Sequence, residues 1–421
     1  MMLPRWLLAV WLLATACGSG REGTPGKPRQ ILLWAFGGVP RTQVWLRQGV
    51  AEFNASHPEI QITFENRDWN TQRESLITAT VAGEGPDLVY VHHKYSVEFG
   101  EQGGLYPLEN FPDFPQIRER YLPHILEHVQ FQGKHFGIPA TTLPFVLAYN
   151  KKILAEHHLQ LPSTWEEMEG MGPVLKAAGI HTLTMPASSH GDTAYRFAAL
   201  LYKAGGRVLN EDWTRAAFNG PAGLAALSFL LRMKEQGYMP EACTAYANDE
   251  NIAHWSGGHA LFSVEGPWWQ DVVVGTYHFP LEDMGLAQLP VPVLPPEANP
   301  SRTLLDIAMV SITGYTPDPE AAWTALKALF VDNPVWQLPD PTLVLLPALK
   351  AAYAPGVHSD YADMDVLAAG LMNGLAWPGH PRISEIQALV AEAVNMALTG
   401  ARTPQQALDD AARDVDEILA E

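Results

Sequence analysis

The sequence predicts an α/β protein of two domains, and three observations carry that prediction. Its 421 residues exceed the roughly 250–300 that a single hydrophobic core serves before a chain divides. Apolar residues make up 47% and charged residues 17%, which supplies large cores and excludes a disordered chain. Short apolar runs of strand length alternate with stretches of helical period, the signature of parallel α/β units.

The elements follow in order. Ile31-Leu32-Leu33-Trp34-Ala35-Phe36 is a buried strand closed by Gly37-Gly38. Val44, Leu46, Val50 and Phe53 then recur near a 3.6 period, until Asn54 and His57-Pro58 end the helix. Ile60-Gln61-Ile62-Thr63-Phe64 alternates as a strand, 71–82 is helical, and Asp87-Leu88-Val89-Tyr90-Val91 is a second buried strand. Residues 136–139 through 147–150 are strand-rich. Thr164 and Glu167 fit the N-cap and third helical positions of a capping box that opens the next helix. A Pro-rich connector at 289–300 precedes a buried strand at 304–312, and 320–330 and 383–419 have amphipathic helical patterns. No internal repeat has a solenoid period.

Charge and cysteine usage narrow the partners. Against 27 Lys and Arg stand 46 Asp and Glu, a net charge of −19 that repels phosphate backbones and argues against nucleic acid. Arg5 precedes an apolar stretch at 6–14, too short to span a bilayer but suited to the core of a secretory signal. It ends Leu13-Ala14-Thr15-Ala16-Cys17, which resembles a bacterial lipobox, with Ala14 where Leu is usual. The resemblance implies cleavage before Cys17 and acylation of that residue; the alternative is a plain signal peptide cut near Ala16. Residues 18–30 then form a flexible tether, and Cys243 remains as a lone buried thiol.

Five blocks in order carry a wider resemblance. They are Gly83-Glu84-Gly85-Pro86-Asp87-Leu88; the turn Gly103-Gly104-Leu105-Tyr106-Pro107-Leu108; Tyr149-Asn150-Lys151-Lys152 with Leu161-Pro162-Ser163-Thr164-Trp165-Glu166-Glu167; 257–268 ending Glu265-Gly266-Pro267-Trp268; and Thr403-Pro404-Gln405-Gln406-Ala407-Leu408. In this order the chain resembles the extracellular solute-binding proteins of ABC importers, in the family that includes the maltose-binding protein. The resemblance implies the periplasmic-binding-protein fold: two lobes, each a mostly parallel sheet flanked by helices, joined by a multi-strand hinge. Passages between lobes then fall near 141–145, near 302–306 and near Leu345. The expected division is a signal peptide at 1–16, a lipidated N-terminus and tether at 17–30, a first lobe of 31–141 with 304–344, and a second of 142–303 with 345–421. Ligand sits between the lobes, and the closed form is what a permease reads.

Sugar recognition needs flat aromatic faces for C–H patches and planar amides, carboxylates or Arg forks for hydroxyls, at loops following strands. Trp268 leads the candidates, because Gly266-Pro267 presents it at a strand end and the resemblance aligns it with a stacking aromatic; Trp269 adjoins it. Lys94 and Tyr95, after His92-His93, occupy positions where the family carries a carboxylate and an Arg, and His93 joins them. Asp192, Tyr195 and Arg196 open a helix after a Ser- and Gly-rich loop. Tyr195 matches a stacking Tyr of the family, and Asp192 and Arg196 at i,i+4 are equally able to pair with each other. Trp69 with Asn66 and Asp68 follows the second strand, and Trp377 lies near Asn373 before the last helices. Asp306 interrupts an apolar run and needs a partner, either Arg302 or a ligand hydroxyl. Of 13 Trp, two fall in the signal segment, and Trp34, Trp45, Trp165, Trp213 and Trp323 are assigned to structure.

The expected function is the lipid-anchored, monomeric substrate-binding subunit of an ABC importer for a neutral di- or oligosaccharide, acting without cofactor or metal. One alternative keeps the fold and binds a charged solute such as a glycerophosphodiester, gripped by Lys94 and Arg196. Another is a secreted carbohydrate-active enzyme. No nucleophile elbow, zinc-binding His pair, phosphate loop or dinucleotide motif has the required spacing, whereas a glycosidase carboxylate pair is defined by geometry that spacing does not reveal.

Overall fold

A computed structural model describes residues 27–37, 40–293, 302–333, 346–354 and 363–421. The signal segment, Cys17, Trp336 and Leu345 lie outside the described residues. Twelve strands are assigned among the described residues: β1 (Arg29–Phe36), β2 (Ile60–Arg67), β3 (Leu88–His92), β4 (Gln130–Phe131), β5 (Lys134–His135), β6 (Ile138–Pro144), β7 (Val146–Asn150), β8 (His181–Thr184), β9 (Ala260–Glu265), β10 (Met284–Ala287), β11 (Leu304–Ile312) and β12 (Leu375–Ala376).

The first sheet has the order β12-β11-β3-β1-β2, with β6 on the other side of β11. β1, β2 and β3 are parallel and β11 runs against β3. β3 is buried along its whole length, as expected of a strand covered on both faces, and its apolar run is correspondingly unbroken. The second sheet, β10-β7-β9-β8, departs from the parallel expectation: only β8 and β9 are parallel. The reason is the connection. β7 continues β6 across the single residue Phe145, and so enters the second sheet in the opposite sense to β9.

Three segments run side by side where the sheets meet. The Phe145 amide donates to the Leu304 carbonyl at 2.8 Å, Thr303 Oγ1 donates to the Phe145 carbonyl at 2.7 Å, and the Leu375 amide donates to the Thr303 carbonyl at 2.9 Å. The passages expected at 141–145 and 302–306 thus lie at the junction. Beyond the third, residues 346–350 bond to the first sheet and the segment before it: Thr142 to the Leu346 carbonyl at 2.9 Å, Leu122 to the Ala348 carbonyl at 2.8 Å, and Lys350 to the Arg120 carbonyl at 2.9 Å. The strand lying alongside the junction is β12.

Helices Trp165–Ala177, Gly191–Lys203, Pro221–Glu235, Ile383–Leu398 and Pro404–Ala420 cover one face of the second sheet, around Leu147, Phe262 and Val264. The capping box at Thr164 forms as the sequence predicts, and Trp165 stacks on Phe229 at 4.8 Å. Cys243 is free and buried in this core, where burial pushes its thiol up to about 12. Val146, Ala148, Met284 and Leu286 point to the opposite face, where they join Trp255 and Trp269 in one apolar cluster continuous with the core of the first lobe. The lobes therefore share hydrophobic contact.

Candidate functional site

The carboxyl ends of β2, β3, β8 and β9 converge on the seam between the lobes, as strand ends do at binding crevices of α/β folds. At the end of β3 the chain turns so that His92 and His93 diverge. His92 faces the seam: the Lys94 amide donates to its Nδ1 at 3.2 Å, which puts the ring proton on Nε2, 2.7 Å from Asp306 Oδ1. The same nitrogen lies 2.9 Å from the hydroxyl of Tyr195, which belongs to the helix Gly191–Lys203 of the second lobe. Gln387, on the helix Ile383–Leu398, donates from Nε2 to the Tyr195 hydroxyl at 3.2 Å and accepts from Lys94 Nζ at 2.9 Å. A closed ring, His92 to Tyr195 to Gln387 to Lys94 and back, thus joins two elements of each lobe.

Burial tunes the ring. Desolvation holds His92 below the ordinary imidazole range despite the opposing charge of Asp306, and it carries the Lys94 ammonium down to about 8. Tyr195 is pushed well up by the same burial, so its hydroxyl stays protonated. Aromatic faces frame the ring. Trp69 meets His92 edge-on at 6.2 Å, Tyr195 stacks on Phe145 at 6.1 Å, and Lys94 Nζ lies 5.2 Å from the Tyr95 ring centre. His93 turns away toward the hinge, with Nδ1 3.2 Å from the Ile307 carbonyl and Nε2 3.4 Å from that of Trp377.

A second polar network lies beside the first, entirely within the second lobe. Arg196 pairs with Glu265, which ends β9 and is 0% exposed, and also donates to Asn248 Oδ1 at 2.7 Å. The other Glu265 oxygen accepts from Asn251 Nδ2 at 2.8 Å and Ser263 Oγ at 3.0 Å. Asp192 sits 3.5 Å from Arg196 Nη1; burial raises its carboxyl, but His190 and Arg196 together bring it below its ordinary value. The guanidinium also lies 5.6 Å from the Phe145 ring centre and 6.0 Å from that of Trp268. Gly266 lets Trp268 fold back here, because a Cβ would stand 2.4 Å from its Nε1.

The expected site residues therefore divide. Lys94, Tyr195, Asp306, Trp69 and the half-buried Trp268 border the seam, with Tyr95 just behind Lys94. Corrections concern the rest. Trp269 and Trp377 are each 0% exposed, Trp269 packed on Trp255 at 4.8 Å and Trp377 in the second core. Arg196 is 2% exposed and held by Glu265, and Asp192 belongs to the same network. His93 serves the hinge, and Asp306 pairs with His92 rather than with Arg302. Asp68 caps the turn Trp69–Thr71 by accepting from the Asn70 amide at 2.8 Å, Asn66 is an exposed β2 residue, and exposed Asn373 bonds to Ala369 of its own helix. His92, Gln387 and Glu265 were missed. Gln387 and Glu265 had a signal: each is a lone polar residue on an otherwise apolar face or run.

No group of three or more His, Cys, Asp or Glu among the described residues is arranged to hold a metal. No described helix is long and apolar enough to cross a membrane.

The model of the bacterial extracellular solute-binding proteins matches residues 39–332, more than half of the chain. The chain belongs to this family. A maltotriose-binding protein of Pyrococcus abyssi is 24% identical over 356 residues, covering 83% of this chain and 69% of that one. A Thermotoga lettingae solute-binding protein bound with α-D-tagatose has a TM-score of 0.81 at 22% identity, covering 93% of this chain and 100% of that one. Maltose-bound MalE3 of T. maritima has a TM-score of 0.79 at 24% identity, covering 92% and 99%. As in these solute-binding structures, the two lobes face each other across a hinge, and the ring centred on Tyr195 occupies the facing edges of this solute-binding protein.

Proposed function

We propose that the protein captures a neutral di- or oligosaccharide between its lobes and delivers it to an ABC permease. The carrying observation is the cross-lobe ring framed by aromatic faces. Lys94, His92, Gln387 and Tyr195 offer donors and acceptors of the kind hydroxyls replace, and Trp69, Tyr195 and Trp268 offer flat faces for sugar C–H patches. Because Tyr195 oxygen receives the Gln387 amide and shares the His92 proton, its own proton is left to donate to a ligand oxygen. Maltotriose, named for the Pyrococcus relative, and maltose, bound in the T. maritima structure, support a glycan ligand.

Charge balance favours a neutral solute over the glycerophosphodiester alternative. Arg196 is neutralised by Glu265, and the Lys94 charge is offset by the field of Asp306 and Asp192, so the described seam offers little net positive charge to a phosphate. The enzyme alternative finds little support either. Both Glu265 oxygens are engaged, and His92, which holds Asp306, turns its other nitrogen to a backbone amide. Anchoring through acylated Cys17, and action as a monomer, complete the proposal.

Tryptophan fluorescence and thermal-shift screens over mono- to tetrasaccharides, glycerophosphodiesters, polyamines and peptides test it. The expected result is a fluorescence change and stabilisation with a neutral sugar and no release of reducing ends. Response only to charged solutes, or hydrolysis of the sugar, overturns it. A Cys17→Ala chain should appear in the soluble fraction where the unsubstituted chain sediments with membranes.

A further inference from the structure

Trp213 has a placement that its assignment to structure does not explain. It is 43% exposed, the side chain of a bulky residue held at φ 59°, in the left-handed region that such residues avoid. The loop around it is built to hold that conformation. Asn210 Oδ1 accepts from the Thr214 and Arg215 amides at 2.8 and 3.0 Å, Asp212 Oδ1 accepts from Thr214 Oγ1 at 2.7 Å, and the Trp213 amide donates to the Asn210 carbonyl at 3.2 Å. Leu209 and Ala216 bridge across the base, and the Ala216 amide donates to Asp416 of the last helix at 2.6 Å. This rigid loop belongs to the second lobe, since Leu209 and Phe218 at its ends lie in that core.

The ring reaches the seam. A Cβ added at Gly379 would stand 3.6 Å from Trp213 Cζ3 and 2.7 Å from Cγ2 of Val97. Val97 lies on the first-lobe helix Tyr95–Glu101, one turn beyond Lys94, and Gly379 follows Trp377 by two residues, before the helix that carries Gln387. Trp213 therefore stands at the rim of the seam, beside the first-lobe helix that follows Lys94. Val97 packs beside it there, and the exposed part of the ring offers a flat aromatic face.

We infer that Trp213 forms an outer aromatic subsite that stacks on a sugar unit extending out of the cleft, which assigns the protein a ligand of three or more units over a disaccharide. This rests on the sugar-binding reading above and adds chain length to it. An aromatic fixed by its own loop loses little conformational freedom on stacking, so it rewards the longer ligand without a cost shared by shorter ones.

The test is calorimetric titration of the full chain with gluco-, xylo- and chito-oligosaccharides of two to five units, beside Trp213→Asn and Trp213→Phe. Asn is chosen because it tolerates the left-handed backbone best of the residues bearing a side chain. In the series that binds, Trp213→Asn should weaken the longer ligands by about three- to tenfold, leave the disaccharide within twofold, and leave the melting temperature unchanged; Trp213→Phe should recover most of the loss. Equal weakening at every length, or none at any, overturns the subsite while leaving sugar binding intact. Failure of every glycan to bind the unsubstituted chain overturns the sugar reading itself, and the subsite with it.

Discussion

Two polar networks lie side by side in this protein, and they are built on opposite terms. The Arg196–Glu265 network is confined to one lobe, has its charges paired, and bonds both oxygens of the buried carboxylate. The ring of His92, Tyr195, Gln387 and Lys94 spans two lobes and consists of single hydrogen bonds between neutral groups and one ammonium. A charge-paired network within one rigid body fixes structure, whereas single hydrogen bonds between two bodies change when they move apart. The difference teaches that charge in the crevice is a poor guide to the ligand here, because the strongest cation is already spent inside the second lobe.

The largest effect comes from breaking the enclosed network. Glu265→Ala removes the close counter-ion of buried Arg196, leaving only the more distant Asp192, and should destabilise the second lobe by about 3–5 kcal/mol, read from urea unfolding. A midpoint shift below about 1 kcal/mol would show that Asp192 and Asn248 suffice to hold Arg196.

Trp268 and Trp269 sharpen the comparison because they are neighbours in sequence with different surroundings. Trp269→Ala opens a cavity against Trp255 and should cost about 3–5 kcal/mol in stability. Trp268→Ala should leave stability nearly unchanged and weaken sugar binding by about 1–3 kcal/mol. Both are checked by pairing denaturation with calorimetry; equal stability losses would move Trp268 into the core.

Tyr195→Phe removes one hydroxyl from the cross-lobe ring. It should reduce ligand affinity by about 0.5–1.5 kcal/mol with little change in the urea midpoint, the reverse of Glu265→Ala. Loss of stability without loss of affinity would make the ring a structural feature.

The smallest effect is a pH dependence of stability carried by buried histidines. Burial lowers His92 and His93 below the ordinary imidazole value, and takes His128 down to about 4. As pH falls below about 6.5 the unfolded chain takes up protons that the folded chain refuses. Stability should therefore fall progressively from that pH downward, and be fully present above it. Urea midpoints at three pH values from neutral to moderately acid check the slope, and His92→Asn should flatten part of it. An unchanged slope in that variant would place the response at the other depressed histidines, among them His93, His128 and His254.

Much of the fold was legible in local pattern. The run at 304–312 is β11 residue for residue, the capping box at Thr164 forms, and the helical stretch at 383–419 becomes two helices separated at 399–403. A place beside the seam was legible only where a residue's position along the chain fixes its outlook, as for Trp268 after β9 and Tyr195 at a helix start. Trp377 and Trp269 have the same local signals as exposed platforms, and what buries them is contact with distant segments.

Periodicity, capping and strand length are short-range, and they determined the elements and the apolar and polar faces; the two-lobed class came from chain length and the resemblance of the ordered sequence blocks. Tertiary structure alone decided which of two adjacent histidines enters the seam, which carboxylate neutralises Arg196, and that the parallel trend fails in the second sheet. The physical reason is that pairing across a seam depends on residues one or two hundred positions apart. Their approach is set by how the chain passes Phe145, Thr303 and Leu375 at the junction, and no local pattern encodes that passage.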